Sequence, residues 1–473
     1  MLVDVKIDRA KYRGSSFTLK NISLRLGEGE SILLVGSSGC GKTTFLLSMT
    51  GVLNNLLEGE VEGYSRIGQI NLLEPEGFRE VARLVGVVLQ DPDKQIAMPT
   101  PYDEVSFVLE NLGFNNVEEK TFRVLNAFGL SDKAFTSIEK LSGGEKRRLT
   151  IASAIVHDPP VILFDEPTAS IDPWGVREVR RYFREHVSGF GRASIVVEHK
   201  ARYFLDLVDE IILLENGVIK ARRRMSEVDE VFLEFLEKHG IDVRAPILLR
   251  EPNNNVGTLL LETRNLSIGY NNEIIVEGID FEVREREVVV VIGANGSGKT
   301  TFLKTLAGAL KPVSGEVLFK KDRLKVFYVP QNPDYMFIHT RVKRELEDLY
   351  KKSGKAFIEK IFNEAPWLKQ LLDMSPHRLS HGQRRWLALA IARGYDPDIV
   401  LLDEPTTGLD LKLYKRVIEW IYNIVKEKRS VIISSHDPRV VADLADRLYL
   451  IENKRMREVS LEYGLKWLEE GFK

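Results

Sequence analysis

Two copies of one phosphate-binding loop constrain this chain more than any other feature. They read Gly36-Ser37-Ser38-Gly39-Cys40-Gly41-Lys42-Thr43 and Gly293-Ala294-Asn295-Gly296-Ser297-Gly298-Lys299-Thr300. Both fit the pattern G-x-x-x-x-G-K-[ST], in which glycines let backbone N–H groups curl around phosphates and the lysine reaches the terminal ones. The Thr43 and Thr300 hydroxyls are placed to ligate Mg²⁺, with Thr44 and Thr301 beside them at the start of a helical pattern. Each loop follows an apolar run, 31–35 or 288–292. Phosphates therefore sit at a helix N-terminus, where free N–H groups and the dipole favour anions. Two strand–loop–helix units of this kind imply two α/β domains and two nucleotide sites.

Length agrees with that division. At 473 residues the chain exceeds a single core, so two domains of about 200 residues or more each are expected. The acids (69) nearly balance the bases (67), which leaves no global attraction toward nucleic acid or an anionic surface. Cys40 is the single cysteine, excluding an internal disulfide framework and a cysteine-rich Fe–S or zinc module. Residues 1–8 alternate like a strand, so no secretory signal is expected there. No run reaches the roughly 18 apolar residues that span a bilayer. The expectation is a soluble, intracellular chain that reaches a membrane only through a partner.

The repeat extends past the loops. Each half continues with Gln90 or Gln331, then Leu141-Ser142-Gly143-Gly144-Glu145 or Leu379-Ser380-His381-Gly382-Gln383. An apolar run ending in Asp165-Glu166 or Asp403-Glu404 follows, then Asp172 or Asp410, and finally His199 or His436. The late elements keep a nearly constant offset between halves, whereas the stretch from Glu316 to Gln331 is half as long as that from Glu60 to Gln90. The core is duplicated and one peripheral arm is trimmed. Strand-like runs alternate with helical patterns, as in a mainly parallel sheet flanked by helices. Residues 105–135 predict a separate helical lobe, and 225–240 an amphipathic helix closing the first domain. The turn-rich stretch 250–257 marks the boundary: domain one at 1–240, a linker at 241–257, domain two at 258–473.

Hydrolysis of a γ-phosphate needs positioning, charge neutralisation and an oriented water. Lys42 and Lys299 supply positive charge. Asp165 and Asp403, at the ends of apolar strands, can hold Mg²⁺ through its waters, and Glu166 and Glu404 are suited to act as general bases. His199 and His436 follow β-rich runs at nearly equal spacing from the acidic pair, which places an imidazole at a strand tip facing the phosphate. Tyr12 and Tyr270 precede the loops by similar distances and can either stack on adenine or fill the core. Cys40, at a helix start, either carries a depressed pKa or simply fills a tight loop. The basic clusters 146–148, 222–224 and 384–385 read as solvated faces, without the aromatic interleaving of a nucleic-acid surface.

In this order, the motifs resemble those of ABC-type ATPases, over nearly the whole of both halves. The resemblance implies an α/β fold of two tandem P-loop NTPase domains, each a RecA-like core with an antiparallel β subdomain and a helical subdomain. It implies ATP and Mg²⁺ as ligands, with Thr43, Gln90 and Asp165, or Thr300, Gln331 and Asp403, around the metal. In that family two domains pair head to tail and share each ATP. Carried over, site one joins Lys42, Gln90, Asp165, Glu166 and His199 with Ser380, Gly382 and Gln383. Site two joins Lys299, Gln331, Asp403, Glu404 and His436 with Ser142, Gly143, Gly144 and Glu145. His381 departs from the pattern by replacing the first signature glycine, adding bulk and possible charge.

Within the family, residues 85–95, Asp103-Glu104-Val105-Ser106-Phe107 and 110–113 look like the ATPases of energy-coupling-factor (ECF) importers, including the cobalt and nickel type. Half two keeps only 331–334 of this pattern. The resemblance implies partner membrane subunits, a transmembrane coupling subunit and a substrate-binding subunit, at the cytoplasmic face of the membrane, and no nucleic acid. Two rival readings are a soluble twin-ATPase acting on ribosomes or nucleic acid and the fused ATPase of a sugar importer.

Overall fold

The computed structural model describes residues 1–169, 171–188, 191–245, 249, 253, 256–271 and 273–472. It divides into two compact units, one of residues 1–171 and 175–244, the other of 245–473 with 172–174. Much of the predicted linker (246–248, 250–252 and 254–255) lies outside the described residues.

In unit 1 the described strands form two sheets. The larger runs in the order Val218–Arg224, Glu210–Glu215, Ser31–Val35, Ala193–Glu198, Val161–Asp165, Val85–Val88. All its pairings are parallel except the antiparallel one at Val218–Arg224. Every residue of Ser31–Val35, Val161–Asp165 and Ala193–Glu198 is buried, as parallel strands must be when helices cover both faces. The smaller sheet is antiparallel, in the order Leu19–Leu26, Val3–Lys11, Glu60–Ile67, Ile70–Asn71. Val3, Val5 and Ile7 alternate inward until a bulge at Ile7/Arg9 breaks the period.

Helices Pro101–Asn111, Val117–Ala127 and Gly143–Ile155 make the helical lobe. It begins earlier than the apolar periodicity suggests, at the short Pro92–Gln95 turn capped by Asp91. The amphipathic segment near 225–240 is a helix only over Glu230–Lys238. Asp229 caps it, its side chain accepting from Phe232 N at 2.8 Å, so the helix cannot start sooner without losing that cap.

Unit 2 repeats the plan with a shorter arm. Its described strands form one sheet, because a single parallel bridge, Glu277 with Arg455, joins the antiparallel part to the parallel core. In unit 1 the corresponding junction is one hydrogen bond, Lys20 N to Gly217 O at 2.9 Å. Between Ser314–Phe319 and Val326–Val329 there is only a turn, where unit 1 inserts Ile70–Asn71, Pro75–Arg79 and Val81–Leu84. This is the trimmed arm visible in the repeat. The lobe of unit 2 contains Val342–Glu364, interrupted at Gly354, whose φ of 79° is left-handed. No helix among the described residues is long and apolar enough to cross a membrane.

Candidate functional site

Each phosphate loop leaves a buried strand and enters a helix at its lysine. Lys42 opens Lys42–Met49 and Lys299 opens Lys299–Leu306. The capping residues Gly41 and Gly298 have φ near +110°, at 107° and 110°, a conformation that L side chains avoid. Side-chain packing excludes a larger residue as well. A Cβ on Gly41 would lie 2.8 Å from the Phe17 ring, and one on Gly298 would lie 2.8 Å from Val276. Phe17 is an aromatic beside the first loop that the sequence did not single out.

Both lysines fold back over their own loops. Lys42 Nζ donates to Gly36 O at 2.9 Å and Ser37 O at 3.2 Å. Lys299 Nζ donates to Gly293 O at 2.8 Å and Ala294 O at 3.1 Å. Each ammonium is buried with carbonyl partners on the loop's inner side. Left-handed glycines and a buried cation make a cradle that fits a phosphate.

The strands after the signature helices bring up the acids. Thr43 Oγ1 donates to Asp165 Oδ2 at 3.0 Å, and Thr300 Oγ1 to Asp403 Oδ2 at 2.9 Å. A hydroxyl paired with a carboxylate suits Mg²⁺, a hard cation that takes oxygen ligands. Unit 2 adds Tyr328 OH, 2.9 Å from Asp403 Oδ2, and Ser434 Oγ, 2.5 Å from Asp403 Oδ1. Burial pushes the Asp165 carboxyl above its ordinary range, and the neighbouring Glu166 adds to the rise.

Glu166 and Glu404 share an unusual backbone, with φ of 49° and 46°. Left-handed conformations at bulky residues cost roughly 1 kcal/mol or more and gather at functional sites. Glu166 Oε1 lies 2.6 Å from His199 Nε2, and Glu404 Oε1 lies 2.9 Å from His436 Nδ1. The two imidazoles thus present different nitrogens, and His199 Nδ1 faces Gly36 O at 3.0 Å. Burial opposes the Glu404 charge, yet His436 and Lys299 hold its pKa below the usual range.

Unit 1 also contains a buried carboxylate with no counterpart in the sequence reading. Glu198, next to His199, accepts from Thr168 Oγ1 at 2.5 Å and from His199 N at 2.8 Å. Unit 2 has Ser435 before its histidine, and that hydroxyl accepts from Asp437 N at 3.0 Å.

The signature serines are helix caps. Ser142 and Ser380 each close a capping box with the residue three positions on, Glu145 or Gln383. That reciprocity explains why both signatures end in Glu or Gln. A Cβ on Gly143 would meet nothing within 4 Å, so the backbone has room for His381 at the matching position. The His381 ring turns back onto its own unit, with Nε2 3.3 Å from Thr407 O. Desolvation of the ring, with the Arg385 charge adding to it, pushes its pKa down.

Three readings need correction or refinement. Cys40 does not have the environment of an activated thiol: it is 3% exposed and burial pushes its pKa up. Its sulfur fills the space above Gly36. The basic clusters are not uniformly solvated, because Arg147 and Arg385 are buried. Arg222 does lie at the surface edge, paired with Glu210. Of the two tyrosines, Tyr12 packs partly buried against the core of unit 1, whereas Tyr270 is exposed, its OH 3.5 Å from Thr301 Oγ1. Gln90 and Gln331 are exposed beyond their strands.

The ABC transporter family model matches residues 19–169 and 276–407. A putative ABC transporter ATP-binding protein of Sulfurisphaera tokodaii is 34% identical, over 98% of this chain and 99% of its own. The putative HMP/thiamine import ATP-binding protein YkoD of Bacillus subtilis is 30% identical, over 92% of this chain and 86% of its own. The solved RNase-L Inhibitor structure shares the fold, with a TM-score of 0.69 at 23% identity over 98% of this chain and 93% of that one. With both phosphate loops, both acidic pairs and both histidines in place, the chain belongs to the ABC transporter family, as an ATP-hydrolysing polypeptide that carries two ATPase units.

Proposed function

We propose that this chain is the ATPase component of an ECF-type importer. It would energise uptake of a vitamin, a vitamin precursor or a divalent metal ion through a transmembrane coupling subunit and a substrate-binding subunit, at the cytoplasmic face of the membrane. The observation that carries this reading is the exposed apolar surface around the glutamine segments. Leu89 and Phe107 are exposed in unit 1, and in unit 2 Tyr335 is 83% and Ile338 79% exposed. Exposed apolar side chains on these segments favour a protein partner over water. The import role in the name of the Bacillus subtilis relative points the same way.

In this proposal Lys42 and Lys299 hold the β- and γ-phosphates, and Thr43, Gln90 and Asp165, or Thr300, Gln331 and Asp403, hold Mg²⁺. Bound there, Mg²⁺ neutralises phosphate charge as it develops. Glu166 and Glu404 take the proton of the attacking water at Oε, while His199 and His436 fix those carboxylates. Completion of each site by the other half's signature turn, as the family resemblance implies, is part of the same proposal.

Co-expression with candidate membrane subunits tests it. A detergent-stable complex that is lost in a Tyr335→Glu, Ile338→Glu variant is the expected result. Recovery with ribosomes, and never with membrane subunits, would instead favour a soluble twin-ATPase.

A further inference from the structure

The strands that carry the two histidines are tied to the acidic strands by different side chains. The backbone link is shared: Glu166 N donates to Val197 O at 2.9 Å, and Glu404 N to Ser434 O at 3.1 Å. Unit 2 adds hydroxyls. Ser434 Oγ donates to Asp403 Oδ1 at 2.5 Å and accepts from Glu404 N at 3.1 Å. Thr407 Oγ1 donates to Glu404 Oε2 at 3.4 Å. Unit 1 has Val197 and Ala169 at these two places, so neither tie can form there.

Glu198 supplies a different one. It ends the strand Ala193–Glu198 and is 3% exposed. Its carboxylate bridges two segments. Oε1 accepts from His199 N at 2.8 Å and from Lys200 N at 3.3 Å. Oε2 accepts from Thr168 Oγ1 at 2.5 Å and from Thr168 N at 3.3 Å. Thr168 is two residues past Glu166, so one carboxylate joins the turn after the base to the loop that carries the histidine. The four donors are three amides and a hydroxyl, and both burial and the nearby Glu166 push the carboxyl's pKa up. A buried acid is a costly way to fill space. The fold does not require one at this position. Unit 2 has Ser435 there, and its hydroxyl accepts from Asp437 N at 3.0 Å within its own turn.

We propose that Glu198 is a positioning residue for hydrolysis in unit 1: by clasping His199 and Lys200 on one side and Thr168 on the other, it fixes His199 against Glu166. One carboxylate then does in unit 1 what the Ser434 and Thr407 hydroxyls do in unit 2. Two scaffolds reach one pairing of histidine and base, in keeping with the different ring nitrogens presented, Nε2 toward Glu166 and Nδ1 toward Glu404.

The inference rests on the reading of Glu166 as the base of unit 1, and the test separates the two. Glu198→Ala, Glu198→Gln, Thr168→Val and the Glu198→Ala, Thr168→Val pair are made in the full chain carrying Glu404→Gln, so that turnover comes from unit 1. For each, kcat and KM for ATP are measured per mole of chain that binds a fluorescent ATP analogue, together with Tm. Glu198→Ala should lose about 10-fold or more in kcat with KM within about threefold, since a displaced group misaligns the reacting atoms. Glu198→Gln keeps an oxygen for the two loop amides and an N–H for the Thr168 hydroxyl, so it should stay within about threefold of the parent. Thr168→Val, which keeps the side-chain shape, should lower kcat alone and add nothing to Glu198→Ala, as expected of two ends of one link. Parental kcat in Glu198→Ala or in Thr168→Val overturns the proposal, and so do losses that multiply in the pair. A lower Tm with parental kcat per binding-competent chain would make the bridge structural. Glu198→Gln as slow as Glu198→Ala would assign the loss to charge and overturn the positioning role. If Glu166→Gln in the same background leaves kcat intact, the base assignment falls. If it abolishes turnover while Glu198→Ala and Thr168→Val do not lower it, only the role of Glu198 falls.

Discussion

Replacing Glu404 by glutamine separates proton acceptance from everything else that side chain does. Glu404 is buried, with His436 Nδ1 2.9 Å and Lys299 Nζ 3.9 Å from Oε1. At the latter distance two unit charges attract by about 4 kcal/mol with an effective dielectric constant near 20. Glutamine has the same length, and its amide oxygen can take the bond from His436. Lys299 keeps Gly293 O and Ala294 O as acceptors. Loss of the ion-pair attraction is largely offset by removal of a buried charge, so folding stability should change by no more than about 1 kcal/mol. The chemistry should change much more. Removing a general base costs about 10²-fold or more in rate, equivalent to about 2.7 kcal/mol of barrier. Phosphate release at saturating Mg-ATP is the assay, with ATP affinity measured separately. Glu404→Gln alone should lose at least half the turnover, and the double variant with Glu166→Gln about 10²-fold or more, while both still bind ATP. A double variant that hydrolyses within threefold of wild type would refute the assignment of either carboxylate as the base.

Other expectations follow from single contacts. Cys40, buried with a raised pKa, should resist maleimide at pH 7 in the folded chain with or without ATP; mass spectrometry showing rapid labelling of native protein would contradict this. Gly36→Ala would drive its Cβ into Cys40 Sγ and the Leu214 carbonyl, so it should lower Tm by the equivalent of about 1–3 kcal/mol and weaken ATP binding in unit 1. Ser380→Ala removes the cap of His381–Gly394 and should cost about 1 kcal/mol in denaturant unfolding. His157 is buried with neither ring nitrogen hydrogen-bonded among the described residues, and burial lowers its pKa to about 4. The unfolded chain therefore binds more protons there, so stability falls as pH drops from about 6.5 toward 4, by up to about 3 kcal/mol. His157→Leu should flatten that acid-side loss in urea titrations, and an unchanged slope would contradict the burial argument.

Features that depend on local chain geometry were legible in the residues themselves. A lysine after alternating glycines and an apolar run ending in two acids each act through neighbours in sequence. The trimmed arm was visible too, as a shorter interval before Gln331. What escaped was set by contacts between distant segments. Tyr328 reaches Asp403, and Glu198 holds Thr168, through strand neighbours that no local pattern names. Arg147 and Arg385 looked like members of solvated basic runs, yet each lies four residues before a buried apolar residue, Ile151 or Leu389, on the same helix. That spacing put them on the inward face, and it was the available signal. Cys40 was ambiguous for another reason: a helix start lowers a thiol pKa and burial raises it, and only the packing against Gly36 decides which prevails.

The central claim is that both units bind and hydrolyse ATP through the same set of groups. Equilibrium titration of Mg-ATP into the Glu166→Gln, Glu404→Gln double variant tests it most directly, because hydrolysis no longer depletes the ligand. The account predicts two ATP bound per chain, with Lys42→Ala and Lys299→Ala each removing one. A stoichiometry of one or none in the double variant, or lysine variants that leave it unchanged, would contradict it.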